Sequence, residues 1–436
     1  MEILNDSTFV VPHVPRGSTG VAWLRSHVAR FAEGADHVRR REAAVRLLEK
    51  VPLDRLRRPG HPVATLAEAL GLPRHLASDV DIVAASYQPH DPVTPEADQA
   101  VGRLVNATGG RWNEDTAALI GLLVQASGAT RSAITGNRPP VPTTRRTSPS
   151  GEEVLVDLSR FPFGAGRHAC PGEQHAEALL DGVGRFPGLH DADEPLLLPN
   201  AWDFASAAAL VRRGYLAIGT TSLGVAASRG LPDAVGSTYR ETLELARSLA
   251  RLPVPITVDI EAGFGVDAGE LAAELTTMGV AGVNIEDGRG DRLESVDEQC
   301  DRVSALKAAA PELFVNARVD TYWLGLDHES TSTRATAYVD AGADGVFVPG
   351  LRDEPLIEDL VGVLGRTPLN VLAEHPFHRL RELGVRRVST GSLLYRTAIT
   401  QAVAAADAYR AGVSAPTAMS YDHIEETRRH VLPEPR

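Results

Sequence analysis

The chain has 436 residues and a formal net charge of −13, with 43% hydrophobic and 23% charged residues. The length favours two domains, the apolar content excludes a disordered chain, and the acidic balance speaks against nucleic acid and anionic membrane as partners. Two cysteines, Cys170 and Cys300, are too few for a disulfide framework; with no secretory signal in MEILNDSTFVVPHVP and no membrane-length apolar run, a soluble cytoplasmic protein is expected.

Two kinds of pattern divide the chain near residue 193. Residues 1–192 read as a smaller, mainly α-helical domain, with helical stretches over 21–48, 115–134 and 172–183. Between them, RPPVPTTRRTSPSGEE is too rich in Pro, Thr and Ser to be helix. The stretch FPFGAGRHACPGEQHAEALL, residues 161–180, then places Cys170 in a glycine-framed loop ahead of a helix. Over residues 193–414, eight short apolar runs alternate with amphipathic segments: LLLP, YLAIGTT, PITVDIE, GVNIED, LFVNARV, DGVFVP, PLNVLA and RRVSTG. Eight strand-like runs, each followed by room for a helix, predict a parallel sheet closed into a (β/α)8 TIM-type barrel, an α/β fold. Residues 415–436 read as a C-terminal tail.

Thr220, Thr221, Asp259, Glu261, Glu286, Asp287, Arg318, Asn370 and Thr390 fall at or just beyond the C-terminal ends of these runs, the face on which such a barrel carries its chemistry. Thr390 and Asp287 serve equally well as helix N-caps. In VDIEAGFG, Asp259 and Glu261 lie two residues apart and share a strand face, and NIEDG supplies Glu286 from the next strand. Three converging carboxylates resist ionisation together unless a cation sits among them, and oxygen-only ligation points to Mg2+ or Mn2+. Arg318 offers a fixed cation for a carboxylate or phosphonate, and GTTSLGVAASRGLPD supplies hydroxyls and backbone amides for an anion.

These segments, together with LLLPNAWDFASA, FVNARVD, GADGVFVPG, PLNVL and RRVSTGSLLYR, resemble the isocitrate lyase and phosphoenolpyruvate mutase superfamily over residues 194–412. The resemblance implies a Mg2+-dependent (or Mn2+-dependent) lyase, mutase or hydrolase acting on C–C or P–C bonds of a small 2-oxo acid or phosphonate through an enolate-like intermediate. It implies Asp259 as direct metal ligand, with Glu261 and Glu286 acting through water. Asp233 matches the family's acidic residue after strand two, and Arg318 the arginine that neutralises substrate charge. Thr220, Thr221 and Ser222 match the segment holding the substrate carboxylate, and Gly224, Asn316 and Asn370 complete the expected substrate-binding set. A homo-oligomer built through the final helices is also implied. One departure stands out: where the family's carbon–carbon lyases carry Lys-Lys-Cys-Gly-His, this chain reads GRGDRLES. Neither Cys nor His is present there, and the mutase branch's lysine and asparagine are missing too. Arg289 and Arg292 on this segment read as gating residues or as solvated surface.

FGAGRHACPG resembles the cysteine-ligand loop of a cytochrome P-450, in which a thiolate binds haem iron. WLRSHVARFAEGADHVRRR resembles that family's C-helix region, with His37 and Arg41 as the pair that contacts haem propionates, and RFPGLH resembles its closing stretch. The resemblance implies a truncated cytochrome P-450-like domain over residues 10–192, either a reduced haem-binding domain, a degenerate remnant kept for packing or a working oxygenase, and thus an alternative function as a haem-thiolate oxygenase or haem-binding sensor with the barrel as partner.

Overall fold

The computed structural model describes residues 2–134 and 141–431 and divides into two compact units, residues 1–183 and 184–436. In the first unit the helix expected over 21–48 is two, Gly20–His27 and Gly34–Leu48, separated by a 3-10 turn at Ala29–Phe31. Gly34 sits at the break with φ +60, where a side chain would be strained. Helices Pro62–Ala69, Ala77–Ala84 and Pro95–Ala107 were not anticipated. The last begins with proline in its first turn and Thr94 as N-cap, its hydroxyl accepting from Ala97 N at 3.1 Å, a start signal that the sequence does carry. Glu114–Ile134 is long and apolar enough by composition to cross a membrane, a run the sequence reading passed over. Its Ile120, Leu123 and Val124 are buried with Trp23, Leu24, Leu56 and Leu104 in this unit's core, so it serves as a core helix.

The Pro/Thr/Ser-rich segment is not all loop. Thr143–Thr147 pairs antiparallel with Glu153–Asp157. β-Branched threonines and the Val154/Val156 alternation favour extended chain, and Gly151 at φ +88 turns it. The first three residues of that segment, 138–140, lie outside the described residues.

The second unit is a nearly closed parallel barrel. Its strands are β1 (Leu196–Leu198, resuming after Pro199 at Asn200–Ala201), β2 (Ile218–Thr220), β3 (Ile256–Asp259), β4 (Gly282–Glu286), β5 (Phe314–Arg318), β6 (Gly345–Phe347), β7 (Leu369–Leu372) and β8 (Arg387–Ser389). Neighbouring strands pair in chain order, and β8 returns to β1 through Val388 opposite Leu197. Pro199 interrupts the first strand because it has no N–H to give the ladder, so one segment pairs with β8 and the other with β2. The β-to-α connections end in side-chain caps: Asp203 on Ser206 N, Asp267 on Glu270 N, Ser295 on Glu298 N and Asp353 on Leu356 N. Apolar residues on the outer face of the strands, such as Val258, Val283, Ile285, Val315 and Ala317, pack against the surrounding helices.

RFPGLH belongs to this unit and not to the close of the first. Phe186 is fully buried among Leu196, Leu198, Ala217, Ala281 and Phe314, and His190 stacks on Phe314 at 4.5 Å. These rings fill the N-terminal end of the barrel, opposite the strand ends that carry the carboxylates. Helix Leu393–Arg410 has no buried residue, whereas Tyr421–Val431 lies along Phe204–Arg212, with Arg212 Nη1 donating to Thr427 Oγ1 at 3.2 Å.

Candidate active site

The barrel register brings the charged strand ends together. Asp259 lies opposite Asn284, and Arg318 opposite Glu286, on adjacent strands. Because side chains alternate along a strand, Asp259 stands level with Asn284 and Asn316, and Glu286 and Arg318 stand two residues further along the same inward face. Arg318 Nη1 donates to Glu286 Oε1 at 2.5 Å and its Nε to Asp320 Oδ1 at 2.5 Å. The guanidinium also lies over the Trp323 and Phe347 rings, 5.5 and 5.8 Å from their centroids.

Electrostatically the site holds more negative charge than Arg318 answers. Burial pushes the Asp259 carboxyl up to about 6; Arg318 opposes this, and Asp233 and Glu261 add to it. Burial likewise raises Glu286 well above the ordinary range, against Arg318 and with Asp259, Asp320 and Asp233. Burial also works against the charge on Arg318, but Asp320, Glu286 and Asp259 outweigh it and hold the guanidinium above its usual value. Asp233 adds a buried Oδ1 with no hydrogen-bond partner. A pair of carboxylates kept from ionising, beside an orphaned carboxylate oxygen, is an environment that favours a cation. The residues present therefore fit a hard, oxygen-seeking divalent ion.

The fit differs in detail from three converging carboxylates. Among the described residues no group of three or more His, Cys, Asp or Glu side chains is drawn into metal-holding geometry. Glu261 is engaged elsewhere: it adopts φ +47, and its buried carboxylate accepts from Gly236 N at 2.7 Å and Thr238 Oγ1 at 2.5 Å. It thus ties down the loop that carries Asp233. Asp259 remains within the site, its N–H donating to Thr220 Oγ1 at 2.8 Å and its Oδ1 accepting from Glu261 N at 3.2 Å.

Thr220 and Thr221 are buried at the end of β2, and Ser222 opens helix Ser222–Arg229. Gly224 is required there, since a Cβ would come within 2.9 Å of both Thr221 Cγ2 and Trp202 Cβ. Asn316 and Asn370, expected to touch substrate, are 1% and 0% exposed. Asn316 Nδ2 donates to Asn284 Oδ1 at 2.8 Å, and Asn370 Oδ1 accepts from Ser389 Oγ at 3.1 Å. Asn370 Nδ2 is buried without a hydrogen-bond partner. The sequence reading missed Asn200, whose Nδ2 donates to Thr220 O at 2.7 Å while its Oδ1 accepts from Gly391 N at 2.9 Å; it joins the ends of β1, β2 and β8. Its signal was an amide directly after the first strand's proline. Asp320 was missed as well, two residues past Arg318 and so on the same side of the chain.

The segment GRGDRLES forms a short hairpin, Gly288–Arg289 against Arg292–Leu293. Arg289 Nε and Arg302 Nη2 lie 3.2 and 3.4 Å from Glu294 Oε2, and Arg292 Nη1 lies 3.6 Å from Glu294 Oε1, so the arginines converge on one carboxylate. Cys300 is half-buried on helix Val296–Ala309, its Sγ 3.5 Å from Ala337 O. Burial raises its thiol above the ordinary value, the opposite of nucleophile activation.

In the first unit the residues singled out around Cys170 do meet. The His37 and His168 rings are 4.2 Å apart, and Arg41 Nη1 donates to Ala169 O at 2.5 Å. Cys170 N donates to Phe163 O at 2.7 Å, and Cys170 Sγ accepts from Gly172 N at 3.4 Å. A cavity of about 460 Å³ lies alongside, lined by His37, Arg41, Val45, Arg46 and Arg167 among others. Desolvation pushes the Cys170 thiol up, and Arg41 is already committed to the loop backbone.

With this geometry in hand, the comparisons with known proteins converge on the second unit. The phosphoenolpyruvate phosphomutase family model matches residues 186–410. An uncharacterized protein of Mycobacterium tuberculosis is 41% identical over 244 residues, covering 55% of this chain and 94% of that protein. The 2-methylisocitrate lyase of Bacillus subtilis is 36% identical over 185 residues, 39% of this chain and 61% of the lyase, so the match spans about three fifths of that enzyme. The crystal structure of a phosphoenolpyruvate phosphomutase from Streptomyces platensis superposes with a TM-score of 0.52 at 25% identity, over 56% of this chain and 94% of that one. The chain is a lyase/mutase-like enzyme that belongs, through residues 186–410, to the phosphoenolpyruvate phosphomutase family.

Proposed function

We propose that the barrel is a Mg2+- or Mn2+-dependent lyase, mutase or hydrolase acting on a C–C or P–C bond of a small 2-oxo acid or phosphonate through an enolate-like intermediate. The observation that carries this reading is the excess of buried carboxylate at the barrel mouth, with Asp259 held at about 6 and Asp233 Oδ1 without a partner. Asp259 and Glu286 would hold the cation, with Asp233 near enough to share its field. Bound there, the ion would polarise the carboxylate and carbonyl oxygens of a 2-oxo acid and stabilise negative charge developing on them.

The chain's own groups supply the rest. Arg318, pinned by Asp320 and Glu286, offers a charge that needs no reorganisation when an anionic group arrives. The Thr220 hydroxyl, which accepts from Asp259 N, keeps its proton free to donate, and the first amides of helix Ser222–Arg229, left uncapped by the Thr221 side chain, would serve a substrate carboxylate. Asp233 is the candidate proton acceptor, and Glu261 sets its position by holding Gly236 and Thr238. The hairpin after β4, Gly288–Leu293, carries no thiol, which speaks against a cysteine-dependent cleavage. Small 2-oxo acids and phosphonates screened with Mg2+ and with EDTA, using wild type and Asp259→Ala, test the proposal. Turnover confined to wild type with Mg2+ supports it; equal turnover in all four conditions refutes it.

The family's oligomer finds support in helix Leu393–Arg410, whose exposed Leu393, Ile399 and Val403 form an apolar stripe suited to a second copy of the chain. Sedimentation at the monomer mass would contradict this.

A second reading concerns the first unit, where His37, Arg41 and the Cys170 loop converge beside a cavity. Its cytochrome P-450 likeness is carried by that convergence alone. Haem reconstitution giving a Soret band that carbon monoxide shifts towards 450 nm, lost in Cys170→Ser, would support it; no band in wild type would end it.

A further inference from the structure

The strongest unassigned feature beside the carboxylates is Asp320. It is 1% exposed, and both its oxygens are used. Oδ1 accepts from Arg318 Nε at 2.5 Å, and Oδ2 accepts from Gly288 N at 3.0 Å, the first residue of the hairpin that follows β4. Its backbone N–H in turn donates to Asp287 Oδ1 at 2.8 Å. Asp287 is itself held by Tyr338 Oη at 2.7 Å and Arg334 Nη1 at 3.2 Å. Arg334 Nη1 also donates to Glu294 O at 2.9 Å, at the far end of the same hairpin, and Glu294 N donates to Asp287 O at 2.8 Å. Asp320 thus touches both the substrate-facing arginine and the hairpin.

A carboxylate suits this position where an amide does not. Two N–H donors, one from a guanidinium and one from the backbone, converge on its two oxygens, and an amide could answer only one of them while opposing its NH2 to the other. The approach on the hairpin side is close enough that a Cβ at Gly288 would lie 2.7 Å from Asp320 Oδ2. Glycine at that position is therefore a steric requirement of the same contact.

We propose that Asp320 is a positioning residue of this site, locking the Arg318 guanidinium and the Gly288–Leu293 hairpin to each other so that neither moves alone. The inference deepens the reading of the barrel as a binder of anionic 2-oxo acids and rests on it for the ligand arm only. Two arms test it. In the first, oxalate is titrated calorimetrically into wild type, Asp320→Asn and Gly288→Ala with saturating Mg2+. Asp320→Asn should weaken oxalate by about tenfold to a hundredfold, the loss expected for one charge-assisted hydrogen bond left unanswered. Gly288→Ala, which leaves the charge in place but displaces the carboxylate, should weaken it less. In the second arm, hydrogen exchange of the ligand-free, chelated proteins is followed by mass spectrometry. Residues 288–294 should exchange at least several-fold faster in both variants, while strands β6 and β7 keep wild-type protection. Hairpin protection unchanged in both variants overturns the proposal whatever oxalate does. Failure of wild type to bind oxalate refutes the function proposed above and leaves the exchange arm to decide on Asp320. Should Asp320→Asn fail to fold, Gly288→Ala alone must show the hairpin effect, and wild-type exchange in that variant refutes the coupling.

Discussion

Replacing Asp259 with Asn should stabilise the cation-free barrel, and by more as pH rises. The folded-state carboxyl lies at about 6 against an ordinary 3.8. Its folded value is raised, so between those limits the folded protein binds more protons than the unfolded chain, and stability falls as pH increases. The proton-linked stabilisation is fully present below about pH 4 and lost by about pH 6, and at about 1.4 kcal/mol per tenfold change it amounts to about 3 kcal/mol. Asn resembles the protonated acid and keeps the oxygen that accepts from Glu261 N. In EDTA the two proteins should therefore be close in stability near pH 4, with Asp259→Asn ahead by about 3 kcal/mol at pH 7.5. Denaturant melts of both proteins, taken at half-unit pH steps with barrel fluorescence, measure this difference directly. Adding Mg2+ at pH 7.5 should reverse the order, because the ion binds the ionised native state and stabilises wild type alone. Asp259→Asn less stable than wild type at pH 7.5 in EDTA would refute the reasoning, for it would mean that the carboxylate is already satisfied without a cation.

Glu261→Gln should cost about 1.5–3 kcal/mol, since one of the two donors at Gly236 and Thr238 would face an amide NH2; melts should show the loss, and exchange should quicken over residues 233–238. Tyr338→Phe removes the hydroxyl donor at 2.7 Å from buried Asp287 and should cost about 1–3 kcal/mol in the same melts, with oxalate affinity reduced if the hairpin is loosened. Cys170→Ser should leave oxalate binding by the barrel within about twofold of wild type, because Cys170 and Asp259 lie in separate units and distant substitutions act independently; a tenfold change measured by calorimetry would contradict that separation.

The barrel could be read from sequence because its strands are short, apolar and regularly spaced, and because the polar residues cluster at one end of each run. Asp259, Glu286 and Arg318 follow directly from that pattern. What spacing alone does not give is where a side chain goes once the backbone leaves the strand. Asp259 and Glu261 are two residues apart, but Glu261 adopts φ +47 and serves the neighbouring loop. Asn316 and Asn370 lie in the barrel interior, closed off from solvent and hydrogen-bonded to Asn284 and Ser389, a depth that spacing does not reveal. Asp320 and Asn200 were hidden because their partners, Gly288 and Gly391, are backbone groups far away in the chain. In the first unit, helix periodicity identified Glu114–Ile134 but not the three shorter helices, whose few turns hold too few periods to stand out. The RFPGLH stretch reads as the end of one domain by resemblance, while burial of Phe186 against β1, β4 and β5 makes it the start of the other.

Crystals grown metal-free and then soaked with Mn2+ and oxalate give the most direct test of the central claim, since anomalous scattering identifies and places the ion independently of activity. The account predicts one strong anomalous peak at the C-terminal mouth of the barrel, within coordination distance of an Asp259 oxygen, with oxalate beside it on the Arg318 side. The same soak of Asp259→Ala should show no peak there. A peak remote from Asp259, or an undiminished one in Asp259→Ala, would contradict the assignment of these carboxylates as the cation site.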